Sequence, residues 1–557
     1  MLRALRITPA LSVVVLLALT ASAGASELPR QIAADATASA FRPATTKIPV
    51  RAPALPAGAQ VLKYKFGPMT IKPGQNYINV DVQQQRPNVD GWIVGFRPGL
   101  VYADTGKSPN VNIVHLHHAV WLVGEPGGPL KPTFAAGEEK TIFNVPDGYG
   151  WRYTTKQSWL INHMIHDLTP TEQKVYITYS LVFIPDTAPQ AKSIKRVDTQ
   201  WMDVEGVKPY PVFNVKQGSG TKGRFTFPAQ AKNPYPDGRV RNRWVADRDA
   251  TLVATAGHLH PGGLFTDLNI TRDGRTVRLF RSRAQYFDPV GAVSWDVAMS
   301  ATAPDWRVAI KKGDVLSTDA TYDTTRASWF EVMGIMPVAI TEGPDGGVDP
   351  FTGKVNQADY LTHGRLKENV DENVRKANPA YTNAIRSRPG PLVDTVVIKN
   401  YTYQQGDLTA RGVKGRPATI RQGQQLTFVN KDPLNIAFHT ITSCRTPCNT
   451  STGIGNPLAD GRGGFDSGEL GFGPTIAEDS YSGSSKTSIP FTAVVDIPAK
   501  PTDCAPVGAI LNFIKNGCVG SATWKTPKNL SPGTYTYFCR VHPFMRGAFR
   551  VVPAKKT

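Results

Sequence analysis

Residues 533–552, GTYTYFCRVHPFMRGAFRVV, read as two β-strands joined by a turn, because aromatic, threonine and aliphatic residues flank a short loop. The loop carries Cys539, His542 and Met545 within seven positions, in a chain that has only five cysteines and eight methionines. A blue-copper centre takes two imidazoles and one thiolate in a trigonal arrangement, with a weak axial thioether. The spacing C-x2-H-x2-M lets one turn present three of those four donors to a single point. The fourth is expected from an earlier neighbouring strand, where NIAFHTITSC (435–444) offers His439 directly after QQLTFVNKD (424–432).

The ordered pieces IRQGQQLTFVNKD, FHTIT and GTYTYFCRVHPFM resemble the cupredoxin family, and the tight C-x2-H-x2-M loop is most similar to that of amicyanin. The resemblance spans residues 393–554. It implies a Greek-key β-sandwich with one type 1 copper held by His439, Cys539, His542 and Met545. One departure is the spacing: 100 positions separate His439 from Cys539, more than a minimal cupredoxin needs. The Gly/Ser-rich tract 451–490 and Cys444, Cys448, Cys504 and Cys518 form an insertion there. In an exported chain an odd number of cysteines leaves at least one outside internal disulfides. Three pairings of the other four exist; local loops favour Cys444–Cys448 with Cys504–Cys518, and Cys539 is left over. The domain has no paired H-x-H motifs and no H-C-H core, so a trinuclear multicopper centre is not expected.

The rest of the chain reads as β too. With 557 residues it is too long for one core, so two to four domains are expected. Its 50 glycines and 45 prolines punctuate runs that rarely show helical periodicity. Residues 1–25 carry Arg3 and Arg6, an apolar run from Leu11 to Leu19, and A-x-A spacings at Ala21/Ala23 and Ala23/Ala25. They read as a secretory signal peptide, which implies a secreted, periplasmic or cell-surface protein. Residues 26–60 read as a flexible lead-in, 61–192 and 193–342 as two β-sandwiches, and 343–392 as a linker with one helix around GRLKENVDENVRKA (364–377). The expected architecture is all-β: two tandem jelly-roll-like sandwiches followed by the cupredoxin domain. The net charge of +19 comes from scattered Lys and Arg with no run longer than two, which argues against a nucleic-acid partner and for adsorption to an anionic envelope surface.

Seven of the ten histidines lie in three short clusters between residues 115 and 260. In TAGHLHPGG (255–263), His258 and His260 fall on one face of a strand and make a two-imidazole metal site. TRASWFEVMGIM (325–336) offers Met333 or Met336 as a thioether, and an imidazole–thioether set favours copper, especially Cu(I), over zinc. In NIVHLHHAVWLV (112–123), the adjacent His117 and His118 point to opposite faces unless the strand bulges; His115 with His117 is the simpler pair. NHMIHDLTP (162–170) adds His163 or His166. His363, in YLTHGRLKEN, reads as a solvent-facing ring beside a helix cap.

Three pieces in this order, an H-H pair, a later lone His, then H-x-H followed by a Met, resemble the copper type II, ascorbate-dependent monooxygenases, represented by peptidylglycine α-hydroxylating monooxygenase and dopamine β-monooxygenase. The resemblance covers residues 61–342. It implies that His117, His118 and His166 hold an electron-transfer copper, with His163 in reserve. It also implies that His258, His260 and Met333 hold the oxygen-binding copper, leaving Met336 to the core. Ala256 and Pro337 stand where the peptide-amidating members use Arg and Tyr on a substrate carboxylate, so a glycine-extended peptide is a poor substrate. The combined expectation is a copper-dependent monooxygenase with up to three coppers per chain, one type 1 and two mononuclear type 2-like. Its partners would be O2, an unidentified organic substrate with a C–H bond to hydroxylate, and a small-molecule or protein electron donor. The alternative is a copper-binding or electron-transfer protein without catalysis.

Overall fold

The computed structural model describes residues 47–555 except 74–77, 84, 112, 209–210, 216–217, 236–237, 288–294, 326–328, 370–388, 409–415, 433–438, 445–461, 466, 468–469, 471–521, 540–541 and 543. Residues 1–25, read above as a signal peptide, and most of the expected cysteine-bearing insertion therefore lie outside the described residues. Among those described, the chain is all-β, and its only helical elements are the 3-10 turns Pro189–Ser193 and Lys367–Asn369.

The first sandwich packs a four-stranded sheet, in the order Ile78–Val82, Ser158–Asp167, Val114–Gly124 and Lys131–Ala136, against part of a nine-stranded sheet. Between them lies an aromatic core. Phe96 stacks on Phe134 at 5.0 Å and meets Trp121 edge-on at 4.8 Å. Each such pair contributes about 0.5–1.5 kcal/mol beyond the area it buries. Leu116, Ala119 and Trp121 of Val114–Gly124 are fully buried in this core, which holds the histidine-bearing strand in place.

The second sandwich sets a seven-stranded sheet over a core of Leu252, Leu268, Ile270, Phe280, Trp306 and Val338. The expected boundary at 192/193 is not a break in the structure. Strand Lys195–Gln200 pairs in parallel with Tyr149–Tyr153, with Val197 opposite Trp151, and antiparallel with Val338–Glu342, with Thr199 opposite Ala339. A single sheet thus runs through both sandwiches.

Two expectations about connecting segments are corrected. The end of the lead-in is fastened down: Ile48 is buried, and Arg51 N–H and Leu361 N–H exchange 2.8 Å hydrogen bonds with Leu361 O and Pro49 O. The start of the linker belongs to the second sandwich, since Asp359–Leu361 pairs with Val297–Thr302 and Arg283 forms a two-pronged ion pair with Asp359. Of the expected helix, Lys367–Asn369 is a 3-10 turn and residues from 370 onward lie outside the described residues.

The C-terminal domain is a β-sandwich of two four-stranded sheets. One contains Thr402–Tyr403, Thr395–Lys399, Thr427–Asn430 and Thr523–Lys525; the other Ala418–Arg421, Arg546–Val552, Gly533–Phe538 and Thr442–Ser443. Each mixes one parallel pair with antiparallel ones. Val396, Phe428, Tyr535, Tyr537 and Phe549 fill the space between them.

The loop 137–142 ties three parts of the chain together. The Glu138 carboxylate accepts the Leu116 N–H at 2.9 Å and pairs with Lys140 at 3.1 Å. The Glu139 carbonyl meets His363 Nε2 at 2.6 Å, and the Thr362 hydroxyl accepts the Ile142 N–H at 3.0 Å. His363 is therefore a brace for this loop and not a solvent-facing ring. Burial pushes the Glu138 carboxyl from 4.5 up to about 7. Between those values the folded chain holds a proton that the unfolded chain lacks, so this group's share of stability is full below about pH 4.5 and falls as the pH climbs to about 7. E138Q should accordingly lose less stability than the parent between about pH 5 and about pH 8, read as the urea midpoint. Equal slopes for the two proteins would rule Glu138 out as the source.

Candidate metal centres

The C-terminal site sits where the loop quoted at the outset closes on itself. Cys539 N–H donates to Met545 O at 3.1 Å and Met545 N–H to His542 O at 2.8 Å. The Cys539 Sγ lies 3.6 Å from His542 Nδ1 and 3.9 Å from His439 Nδ1, and the two Nδ1 atoms are 3.1 Å apart. These three ligand atoms fall within 4.8 Å of one another, an arrangement able to hold a metal ion. All four expected residues, Met545 included, are essentially inaccessible to solvent.

Hydrogen bonding decides which atoms are donors to a metal. The Asp432 carboxylate accepts from His439 Nε2 at 2.9 Å. Because a carboxylate only accepts, the ring proton resides on Nε2 and the Nδ1 lone pair is left facing the thiolate. Cys539 Sγ itself accepts the backbone N–H groups of Thr440 at 3.3 Å and His542 at 3.4 Å. Burial raises a thiol's pKa, but the neighbouring His542 and His439 outweigh it and hold Cys539 well below the usual thiol range. Cys539 is a free thiol, whereas Cys444 is disulfide-bonded. The other three cysteines lie outside the described residues, so the expected pairing is not addressed.

In the first sandwich the pairing of Val114–Gly124 with Ser158–Asp167 slips between Leu116 and His118: Leu116 stands opposite Ile165 and His118 opposite Met164. His117 is the extra residue of this bulge. An unbroken strand would separate His117 and His118 onto opposite faces; the bulge brings their Nδ1 atoms to 3.4 Å. His118 Nε2 bonds the Asn162 side-chain oxygen at 3.1 Å, which turns its Nδ1 toward His117. His166 lies 6.5 Å from His117 and 5.2 Å from His115, ring to ring. His163 faces elsewhere, its Nε2 held by Asp81 at 3.0 Å.

In the second sandwich His258–Leu259 pairs with Gly334–Ile335, His258 opposite Ile335 and Leu259 opposite Gly334. His260 and Met333 are the residues next beyond this pairing. The Tyr322 hydroxyl clamps the two backbones, donating to Met333 O at 2.5 Å and accepting the His260 N–H at 3.2 Å. His258 Nδ1 donates to the Glu139 carboxylate at 3.0 Å, so its Nε2 keeps a bare lone pair. Both His258 Nε2 and His260 Nε2 are buried without a hydrogen-bond partner. A buried polar atom left unpaired is costly and calls for a partner such as an ion. Met336, by contrast, packs in the second core.

The two histidine groups adjoin each other. The rings of His117 and His260 meet edge-on at 4.6 Å, and Trp295 lies 4.7–5.1 Å from His115, His117 and His260. The two sets, expected to hold one copper each, thus adjoin, because the shared sheet fixes one sandwich against the other. Burial holds His115, His117 and His260 well below the ordinary imidazole range and takes His118 down to about 3. Neutral imidazoles are the form that binds a metal.

Sequence reasoning did not single out Glu139, Asp432, Asn162 or Trp295. A carboxylate beside a metal-binding histidine leaves no pattern in the chain, although the pair Glu138–Glu139 between two β-like runs was a visible oddity. Gly137 is required here for a specific reason: a Cβ would come within 2.5 Å of both Glu139 Oε2 and His258 Cε1.

His118, Asn162, Glu139, His258 and Met333 also share the wall of one cavity of about 210 Å³.

No protein-family model and no curated protein matches the chain. Among solved structures it is similar to a peptide-N(4)-(N-acetyl-β-D-glucosaminyl) asparagine amidase at 9% identity, with a TM-score of 0.25, covering 52% of this chain and 98% of that one. The glycosylasparaginase PNGase F of Flavobacterium meningosepticum gives 8% identity and 0.23 over the same shares. A copper-containing nitrite reductase of Thermus scotoductus SA-01 gives 13% identity and 0.14, covering 55% of each chain. None of these likenesses is close enough to bear on what this chain does.

Proposed function

We propose that the chain is a copper-dependent monooxygenase that hydroxylates a C–H bond with O2 and carries its own blue-copper domain as an electron relay. The observation that carries this reading is a repeated device. In both halves of the molecule a buried carboxylate pins one nitrogen of an imidazole, Asp432 on His439 and Glu139 on His258, and leaves the other nitrogen bare. Each bare nitrogen belongs with a second imidazole and a sulfur: His542 with Cys539 and Met545, His260 with Met333. Imidazole with sulfur selects copper over hard cations, and the thiolate set fits a type 1 centre while the thioether set fits Cu(I).

Copper at these positions would supply one-electron transfer and the capacity to reduce O2. The reaction balances as R–H plus O2, two electrons and two protons giving R–OH and water, with the electrons drawn from a small-molecule or protein donor. The chain's own contribution is to pin the His439 and His258 rings in fixed orientations, to bury the histidines, and to bring His117 against His260. That contact offers a short route between an electron-supplying and an oxygen-binding set. The same contact also favours a second reading, in which adjoining histidines store or pass copper without turnover.

Copper stoichiometry with paramagnetic resonance tests the arrangement: three coppers per chain are expected, one with thiolate character and two without. C539S should remove the blue absorption and the thiolate-type signal while two coppers remain bound. M333A should abolish O2-dependent hydroxylation and leave the blue band intact. Turnover retained in M333A would sink the oxygenase assignment of that site, and copper-loaded protein that never consumes O2 with a reductant would favour the storage reading.

A further inference from the structure

The cavity that His258 and Met333 help to line has walls of one consistent chemistry. Phe96, Phe134, Phe143 and Trp201 supply aromatic faces, and Ala256 and Pro337 close it near the histidines. Each lining charge already has a partner: Lys208 is bound by the buried Glu205 at 3.0 Å, and Glu139 accepts from His258 at 3.0 Å. One polar atom is different: the Thr141 hydroxyl, in a residue 7% exposed, is buried without a hydrogen-bond partner.

We infer that this cavity takes an uncharged, mostly hydrocarbon molecule about the size of one substituted aromatic ring, carrying one group that hydrogen-bonds to Thr141. The volume of about 210 Å³ exceeds the ~150 Å³ apolar cavity that accepts benzene, leaving space for a short substituent. An anion finds no free cation there, and a cation no free carboxylate; either would be desolvated without a partner. A bare hydroxyl in an apolar wall recovers a hydrogen bond only from a ligand or a water. That this molecule is the substrate rests on the oxygenase reading. That the cavity binds it does not.

The test is calorimetric titration of the copper-free full chain with four probes: toluene, p-cresol, benzoate and benzylamine. p-Cresol and toluene should bind, with benzoate and benzylammonium roughly tenfold weaker or worse. T141V should weaken p-cresol about fivefold and leave toluene unchanged. V207W, at a rim position 67% exposed and so tolerant of change, should narrow the mouth and weaken both neutral probes. Charged probes binding as well as p-cresol, neutral binding indifferent to V207W, equal weakening of both neutral probes by T141V, or no binding of any probe would each overturn the inference. If the neutral probes bind as described but copper-loaded protein consumes no O2 in their presence, the oxygenase reading fails while the cavity assignment stands.

Discussion

Strand Lys195–Gln200 hydrogen-bonds in parallel to one sandwich and antiparallel to the other, and the placement of the histidines depends on it. Were the sandwiches joined by a flexible tether, His117 and His260 would be free to part, at an entropic cost of association paid anew at each encounter. A shared sheet removes that freedom in folding. The loop 137–142 reinforces it at the point of contact, because adjacent carboxylates reach in two directions: Glu138 to the backbone of the first histidine strand, Glu139 to the ring of His258 in the other sandwich.

Electrostatics then decides what the cluster is for. Six imidazoles crowded together in water would titrate near neutrality and repel one another as they charged. Burial favours the neutral form of His115, His117, His118 and His260, and His258 Nε2 and His260 Nε2 stand buried without a hydrogen-bond partner. The Glu139 carboxyl illustrates the balance: burial opposes its ionisation, yet His258 and the backbone N–H groups around it prevail and hold it below the ordinary carboxylate value. A fixed anion on the outer nitrogen makes the inner nitrogen a stronger donor, which is how second-layer carboxylates tune metal-binding histidines.

What was legible in the chain follows the range over which each signal acts. The donors in 533–552 could be read because one turn carries three of them, and their spacing alone forces convergence. His258 and His260 could be read from the two-residue period of a strand. The pairing of His117 with His118 could be stated only as a condition, since nothing in HLHH marks where an extra residue enters; the register of the partner strand decides it. Met333 over Met336 came from resemblance, and its cause is visible only in the cross-strand register beside His260. Glu139, Asp432 and Trp295 act across long separations, where a sequence offers no geometry. The sandwich boundary misled because a change of composition marks a change of core, whereas the sheet connecting the cores leaves no compositional trace.

The closed loop around Cys539 has a consequence for how the domain matures. Thiol–disulfide exchange needs an attacking sulfur to reach its target in line, and Cys539 is fully buried, its sulfur taken by two backbone N–H donors beside His542, whose ring packs against Tyr401 and Phe544. Once the two sheets close, it is out of reach of thiols and oxidants in solution that would carry it to a mixed disulfide or to sulfenic acid. The order of events during folding therefore selects the covalent outcome: burial ahead of oxidation preserves a usable thiolate, and oxidation ahead of burial consumes it.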